Sequence, residues 1–94
     1  MTVCVKFIGS FRSLSGKDKL ELKLEGVSPL RDIIKIIVEK MPKLGSSLVD
    51  AGCDGPKTNM LVLVNGKEIS VLDRFDTIIR DEDEVAFVPV VHGG

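Results

Sequence analysis

The most unusual group in the chain is the terminal carboxylate, which follows a pair of glycines. The sequence finishes Val90-Val91-His92-Gly93-Gly94. Glycine has no Cβ, so Gly93 and Gly94 can lie extended in a channel that is too narrow for other side chains. A carboxylate is a poor electrophile until one of its oxygens becomes a good leaving group, so we expect another enzyme to activate Gly94. The alternative is an ordinary frayed terminus, since chain ends are commonly disordered.

Few other residues offer chemistry. One histidine and two cysteines are too few ligands for a structural zinc site, and we expect the chain to bind no metal or cofactor itself. His92 could hydrogen-bond inside the cleft of an activating enzyme, or it could be an exposed tail residue without a special role. Arg12 could bind a carboxylate of a partner, although a solvated arginine is the commoner outcome.

Length and composition describe one small globular domain. The 94 residues are 44% hydrophobic and 29% charged, with a net charge of −1, which gives no electrostatic case for binding nucleic acid or an anionic membrane. The charge is uneven, because residues 1–43 hold nine Lys and Arg against five Asp and Glu, and residues 44–94 hold four against nine. Such a division suggests a partner surface. With no apolar run long enough to span a membrane and no secretory leader, we expect a cytoplasmic protein.

Periodicity predicts a hairpin and then a helix in the first half. Residues 2–8 and 19–25 alternate as two strands, and residues 13–18 are turn-like, with Phe11 and Leu14 expected to pack back on the core. Ser28 is a candidate N-cap, with Pro29 at the first helical position. The helix should end before Pro42. Its apolar stripe comprises Leu30, Ile33, Ile34, Ile37, Val38 and Met41.

The pattern of the second half predicts three further strands. Residues 60–64 and 67–70 flank Asn65-Gly66, a pair that favours a type I′ hairpin turn. Residues 72–79 should be irregular or one helical turn, with Leu72, Phe75, Ile78 and Ile79 as core contacts. Residues 85–90 form the closing strand. Residues 43–59 are hard to interpret and allow a short second helix.

The order β-β-α-β-β-β predicts an α+β fold of the β-grasp, or ubiquitin-like, type. A mixed sheet of about five strands would place its first and last strands parallel at the centre, with one main helix across one face. We expect a single domain over residues 1–94, with residues 90–94 as a projecting C-terminal tail.

Alternation on the last strand predicts a surface for partners. Val85 and Phe87 should face the helix and leave Ala86 and Val88 on the open face of the sheet. Met60, Val62 or Leu63 could join them in an exposed apolar patch, or residues 43–59 could cover that face as a crevice. The predicted partner-binding residues are Arg12, Ala86, Val88, Pro89, Val90, Val91 and His92.

Four segments carry a resemblance to a known family. They are residues 7–17 (F-I-G-S-F-R-S-L-S-G-K), 41–44 (M-P-K-L), 62–66 (V-L-V-N-G), and 83–89 (D-E-V-A-F-V-P) with the final glycine pair. On these segments the chain resembles the ubiquitin-like sulfur carriers, which include the molybdopterin synthase small subunit (MoaD), ThiS, the ubiquitin-related modifier and the small archaeal modifiers. It departs from the MoaD pattern at Glu82, where glycine is usual, and at Val90, where a second proline is frequent. The ending V-H-G-G looks closer to the ubiquitin-related modifiers.

The resemblance implies a carrier and not an enzyme. An ATP-dependent activating enzyme of the MoeB/ThiF type would adenylate Gly94, and a sulfur donor would then yield a C-terminal thiocarboxylate. In molybdopterin biosynthesis, which we favour, the chain would pair with the large subunit of molybdopterin synthase. The alternatives are a sulfur carrier for tRNA thiolation and a protein modifier joined to lysines of target proteins. An interaction domain with an idle tail is a third possibility.

Overall fold

The computed structural model describes residues 1–44 and 60–89 of the chain. In order, the helices and strands are β1 (Thr2–Phe7), α1 (Ser10–Ser15), β2 (Lys19–Lys23), β3 (Ser28–Pro29), α2 (Leu30–Lys40), β4 (Met60–Val64), β5 (Lys67–Glu68), β6 (Ile78–Ile79) and β7 (Glu84–Pro89). Three single 3-10 turns lie at Pro42–Leu44, Ile69–Val71 and Arg74–Asp76.

Strand β7 lies at the centre of a five-stranded sheet with the order β2-β1-β7-β4-β5. Strands β1 and β7 are parallel, and the other neighbours in this sheet are antiparallel. Strands β3 and β6 form a separate two-stranded sheet. The predicted mixed sheet, with the first and last strands side by side, is therefore confirmed.

Alternation along the strands builds the core on one face of the sheet. Val85 and Phe87 of β7 are fully buried, and the ring of Phe87 stacks on that of Phe7 with centroids 6.1 Å apart. Helix α2 supplies the opposing layer, because Leu30, Ile33, Ile34 and Ile37 on its apolar stripe are all buried. The predicted helix stripe is thus confirmed at its centre, while Val38 and Met41 lie at its half-buried margin.

The connection after β1 is a short helix where the sequence suggested only a turn. Helix α1 ends at Gly16, whose φ of 75° is left-handed and whose N–H donates to the carbonyl of Arg12 at 2.9 Å. Phe11 anchors this helix in the core, as predicted. The same prediction was wrong for Leu14, which is 39% exposed, because six residues of helix can turn only part of their surface inward.

Helix α2 begins without the predicted serine cap. Ser28 and Pro29 are extended and pair with Ile79 and Ile78 in the small sheet. Pro29 is the residue before the helix, and no side chain caps it. The N–H of Leu30 instead donates to the carbonyl of Thr77 at 2.8 Å, so a tertiary strand pairing replaces the local cap. The helix ends at Lys40, before Pro42, as predicted.

The Asn65-Gly66 turn has the predicted backbone, with φ of 51° at Asn65 and 84° at Gly66. The returning strand is shorter than predicted, because Ile69 leaves it to enter the core and starts a 3-10 turn. Ile79 is buried as expected, but the core prediction was wrong for Ile78, which is 41% exposed on β6. Residues 45–59, and with them most of the predicted second helix, lie outside the described residues.

Candidate functional site

The point where the central strand ends is built by close packing of β7 against the loop after β1. The N–H of Ile8 donates to the carbonyl of Phe87 at 3.1 Å. Gly9 follows with a φ of 61° and a ψ of −130°, a conformation that is essentially restricted to glycine. A Cβ on Gly9 would lie only 2.8 Å from Cγ of Pro89. Gly9 therefore allows the loop after β1 to pack against Pro89, a constraint that the sequence analysis did not identify.

The last residue of the sheet, Pro89, is half-buried and lies opposite Met60 of β4. Proline has no N–H to donate to a neighbouring strand, so it is a natural residue at the end of a paired segment. With Met60 on one side and Gly9 on the other, the direction of the chain is fixed up to Pro89. The predicted tail residues Val90, Val91, His92, Gly93 and Gly94 lie outside the described residues, and their roles stay predictions.

The open face of the sheet carries an apolar patch beside β7. Ala86 lies between Leu63 of β4 and Lys6 of β1, and Val88 lies opposite Leu61. We call Leu61, Leu63, Ala86 and Val88 the open-face patch. Leu61 is 39% exposed and Val88 half-buried, whereas Ala86 retains only 6% of its surface. The face assigned to Ala86 and Val88 is confirmed, but a partner would contact chiefly the side chains around Ala86.

The sequence assigned the wrong neighbours to this patch on β4. Met60 and Val62 were candidates for it, yet both are buried in the hydrophobic core. Val62 pairs with Phe87, which fixes these two side chains on the same face. Leu63 is correctly placed, and Leu61 was missed. Strict alternation outward from a buried Val62 gives Leu61 and Leu63, so the signal was present once the register was known.

Charged residues border the open-face patch. Lys6 and Glu84 form an ion pair at 3.1 Å on the same face. Beyond β1, the exposed Lys19 and Glu21 of β2 continue this border, opposite Lys6 and Cys4 in the register. An apolar patch rimmed by polar residues is typical of a protein interaction site.

Arg12 lies on the helix that begins at the end of the central strand. It is exposed, and its N–H donates to the carbonyl of Gly9 at 3.0 Å. Helix α1 also packs beside β7. Arg12 is therefore on the tail side of the molecule, as a partner-binding role requires, and that role stays a prediction.

Within residues 1–44 and 60–89, no three His, Cys, Asp or Glu side chains come together as a metal cluster. In the same part of the chain, no helix is long and apolar enough to cross a membrane.

Comparisons with known proteins agree with the resemblance seen in the sequence. The ThiS family model matches residues 5–94. Small archaeal modifier protein 3 of Haloferax volcanii is 28% identical over 94 residues, all of both chains. The structure of small archaeal modifier protein 1 from Methanosarcina acetivorans has a TM-score of 0.78 at 27% identity, covering 99% of this chain and 96% of that one. Urm1 from Trypanosoma brucei has a TM-score of 0.79 at 26% identity, covering 99% and 95%.

Proposed function

Because the chain belongs to the ThiS family, we propose that it is a sulfur carrier whose Gly94 carboxylate is adenylated and then converted to a thiocarboxylate. The observation that carries this proposal is the placement of β7, the central strand, which ends at Pro89 against Gly9. Five residues follow Pro89 and close on two glycines. We further propose molybdopterin biosynthesis as the pathway that receives the sulfur.

The proposed chemistry divides the work between the carrier and its enzymes. A carboxylate oxygen of Gly94 attacks the α-phosphate of ATP and displaces pyrophosphate, which leaves a mixed anhydride with AMP as a good leaving group. Hydrosulfide released by the sulfur donor then attacks the carbonyl carbon and expels AMP, which leaves the thiocarboxylate and a proton. These steps need catalytic groups in the activating enzyme, and from the carrier they need only an accessible, narrow terminus.

The dimensions of the tail suit this division. Five extended residues reach at most about 18 Å, so the carboxylate can enter an enzyme cleft while the body of the carrier stays outside. The tail starts from a fixed position on the body, because Pro89 is held between β4 and Gly9. Holding the start of the tail in place reduces the conformational entropy that binding must remove.

The proposed partners would recognise the body on its tail side. In this scheme an activating enzyme of the MoeB/ThiF type contacts the open-face patch and Arg12. Val88 and Pro89 connect this surface to the tail. The large subunit of molybdopterin synthase would then bind the same side of the carrier and receive its thiocarboxylate. ATP belongs to the activating enzyme in this scheme, and the reactions are proposed to occur in the cytoplasm.

Intact-mass spectrometry tests the sulfur carrier directly. The full chain is incubated with ATP, its activating enzyme and a sulfur source. We expect a mass increase equal to the replacement of one oxygen by one sulfur, confined to the C-terminal peptide. A matched chain that ends at His92 should show no change. An unmodified full chain, beside a second carrier that the same enzyme does modify, would contradict the proposal.

A protein modifier is the second candidate, and the names of two relatives support it. Two of the matched proteins carry the word modifier in their names. If this chain acts in that way, immunoblots of cell lysate should show a ladder of conjugates that disappears when Gly93 and Gly94 are deleted. A single unchanged band would exclude conjugation.

Loss of molybdenum-enzyme activity on deletion of the gene, with tRNA thiolation intact, would favour the molybdopterin pathway over tRNA thiolation.

A further inference from the structure

A second surface feature, distinct from the open-face patch, lies where the ends of α1 and α2 meet. It is an open cleft of about 320 Å³. One wall is the C-terminal half of α1 with its capping glycine, and the other is the end of α2 with the 3-10 turn after it. The lining residues are Ser13, Leu14, Ser15, Gly16, Lys40, Met41, Pro42 and Lys43.

The lining combines an apolar floor with positive charge. Leu14 is 39% exposed and Met41 half-buried, whereas Lys40 and Lys43 are both exposed and no lining residue is acidic. Pro42 ends the helix between the two lysines, so they come from different segments. Among residues 1–44 and 60–89, neither lysine has a carboxylate within 4.0 Å. Lys40 complements the helix dipole, but that effect does not explain an exposed leucine beside it.

The cleft lies on the same side of the molecule as the start of the tail. Helix α1 begins at Gly9, whose backbone lies against Pro89, and it ends at Gly16 in the wall of the cleft. Gly9 and Gly16 cap the two ends of this six-residue helix, and the seven steps between them span about 10 Å. Helix α1 also packs on the Pro42–Leu44 turn. A protein that encloses the tail therefore needs only a short extension to reach the cleft.

We propose that this cleft docks an acidic segment of the enzyme that activates the tail, with an apolar side chain of that segment resting on Leu14 and Met41. The proposal rests on the proposed function and adds a second contact to it, separate from the open-face patch. Charge complementarity carries it, because the cleft holds two exposed lysines, Lys40 and Lys43, and no acidic residue in its lining. Exposed charges of this kind act mainly on encounter rate and orientation, and salt weakens them.

The test compares two double charge reversals in the complete chain. Lys40→Glu with Lys43→Glu changes the cleft, whereas Lys35→Glu with Lys67→Glu makes the same change of net charge at exposed positions outside it. The measured quantities are KM and kcat for the carrier in ATP–pyrophosphate exchange by the activating enzyme. We expect the cleft variant to raise KM about tenfold, since two attractive pairs become repulsive. Its kcat should be unchanged, and the control should shift KM less than about twofold.

Two further measurements make the outcome decisive. Lys40→Gln with Lys43→Gln should raise KM in the same direction but less, and rising salt should reduce the difference between wild type and the cleft variant. Matching amide NMR spectra exclude a folding defect. Equal KM values for the cleft and control variants would overturn the docking site while leaving the proposed function intact. Contacts between Leu14 and residues 45–59 in the free protein, with KM insensitive to the lysines, would instead assign the cleft to this chain's own segment. No exchange with the wild-type chain would overturn the proposed function itself.

Discussion

The two sides of strand β7 follow the same alternation but serve different purposes. On the helix side, Val85 and Phe87 are completely buried and their burial stabilises the fold. On the open side, Ala86 and Val88 lie beside Leu61, which keeps 39% of its surface exposed. One strand therefore both stabilises the body and carries the surface that we propose for partners, and the tail follows it in the sequence. The variants below separate these two uses of β7, beginning with the largest expected effect.

Truncating the helix side should destabilise the protein strongly. We expect Phe87→Ala to lower the free energy of unfolding by about 3–5 kcal/mol, because it leaves a cavity in the core and removes the stacking on Phe7. Urea denaturation followed by circular dichroism measures this. Val88→Ala, one residue along, is the matched control and should cost less than about 1 kcal/mol because the side chain is only half-buried. Equal losses for the two variants would contradict the division between the faces.

The next effect concerns the end of the strand. Gly9→Ala would place a methyl group 2.8 Å from Pro89 Cγ, on a backbone conformation that favours glycine. We expect this change to lower the free energy of unfolding by about 1–3 kcal/mol. Repeating the change in a Pro89→Ala background should recover part of that loss, because the contact is relieved while the backbone cost remains. Identical losses in both backgrounds would mean that Gly9 and Pro89 do not interact.

A charge on the open side should separate binding from stability. Leu61→Asp is expected to change the free energy of unfolding by less than about 1 kcal/mol, as is usual for an exposed position. It should nevertheless raise KM for the activating enzyme about tenfold, because docking would bury the new carboxylate against apolar atoms. Val71→Asp is the control, since Val71 is exposed and lies outside the open-face patch. A matching increase in KM for Val71→Asp would remove the patch from the interface.

Surface ion pairs should have the smallest effect. Arg31 donates to Asp76 Oδ1 from Nε at 3.0 Å and from Nη2 at 2.7 Å, joining α2 to the 3-10 turn at Arg74–Asp76. Both residues are partly or largely exposed, so Arg31→Ala should cost less than about 1 kcal/mol. A double-mutant cycle with Asp76→Ala measures the pair. A coupling as large as the loss in Phe87→Ala would show that ion pairs, and not apolar burial, hold the helix side together.

Much of the fold could be predicted because local patterns and tertiary contacts agree. Helix α2, the Asn65-Gly66 turn and the central pair β1–β7 follow from periodicity, turn chemistry and connection rules. The prediction failed where a distant contact replaced a local preference. Ser28 has the chemistry of an N-cap, but β6 pairs with its backbone, and that pairing is not visible in the sequence near Ser28.

The candidate site, too, could be predicted only in part from the sequence. Ala86 and Val88 could be placed by counting along one strand, whereas Leu61 required the register between β4 and β7. The role of Gly9 depends on a contact with a residue eighty positions later in the chain, so the sequence around Gly9 could not reveal it. The cleft between α1 and α2 was missed because residues 13–18 were interpreted as a turn, which hid the exposure of Leu14.

The central claim is that the carboxylate of Gly94 is the group on which the activating enzyme acts. The most direct measurement is ATP–pyrophosphate exchange by that enzyme with two otherwise identical chains, one ending in the free carboxylate and one capped as the amide. We expect exchange with the free carboxylate and none with the amide, while both chains bind the enzyme through the body. Equal exchange with the capped chain would contradict it.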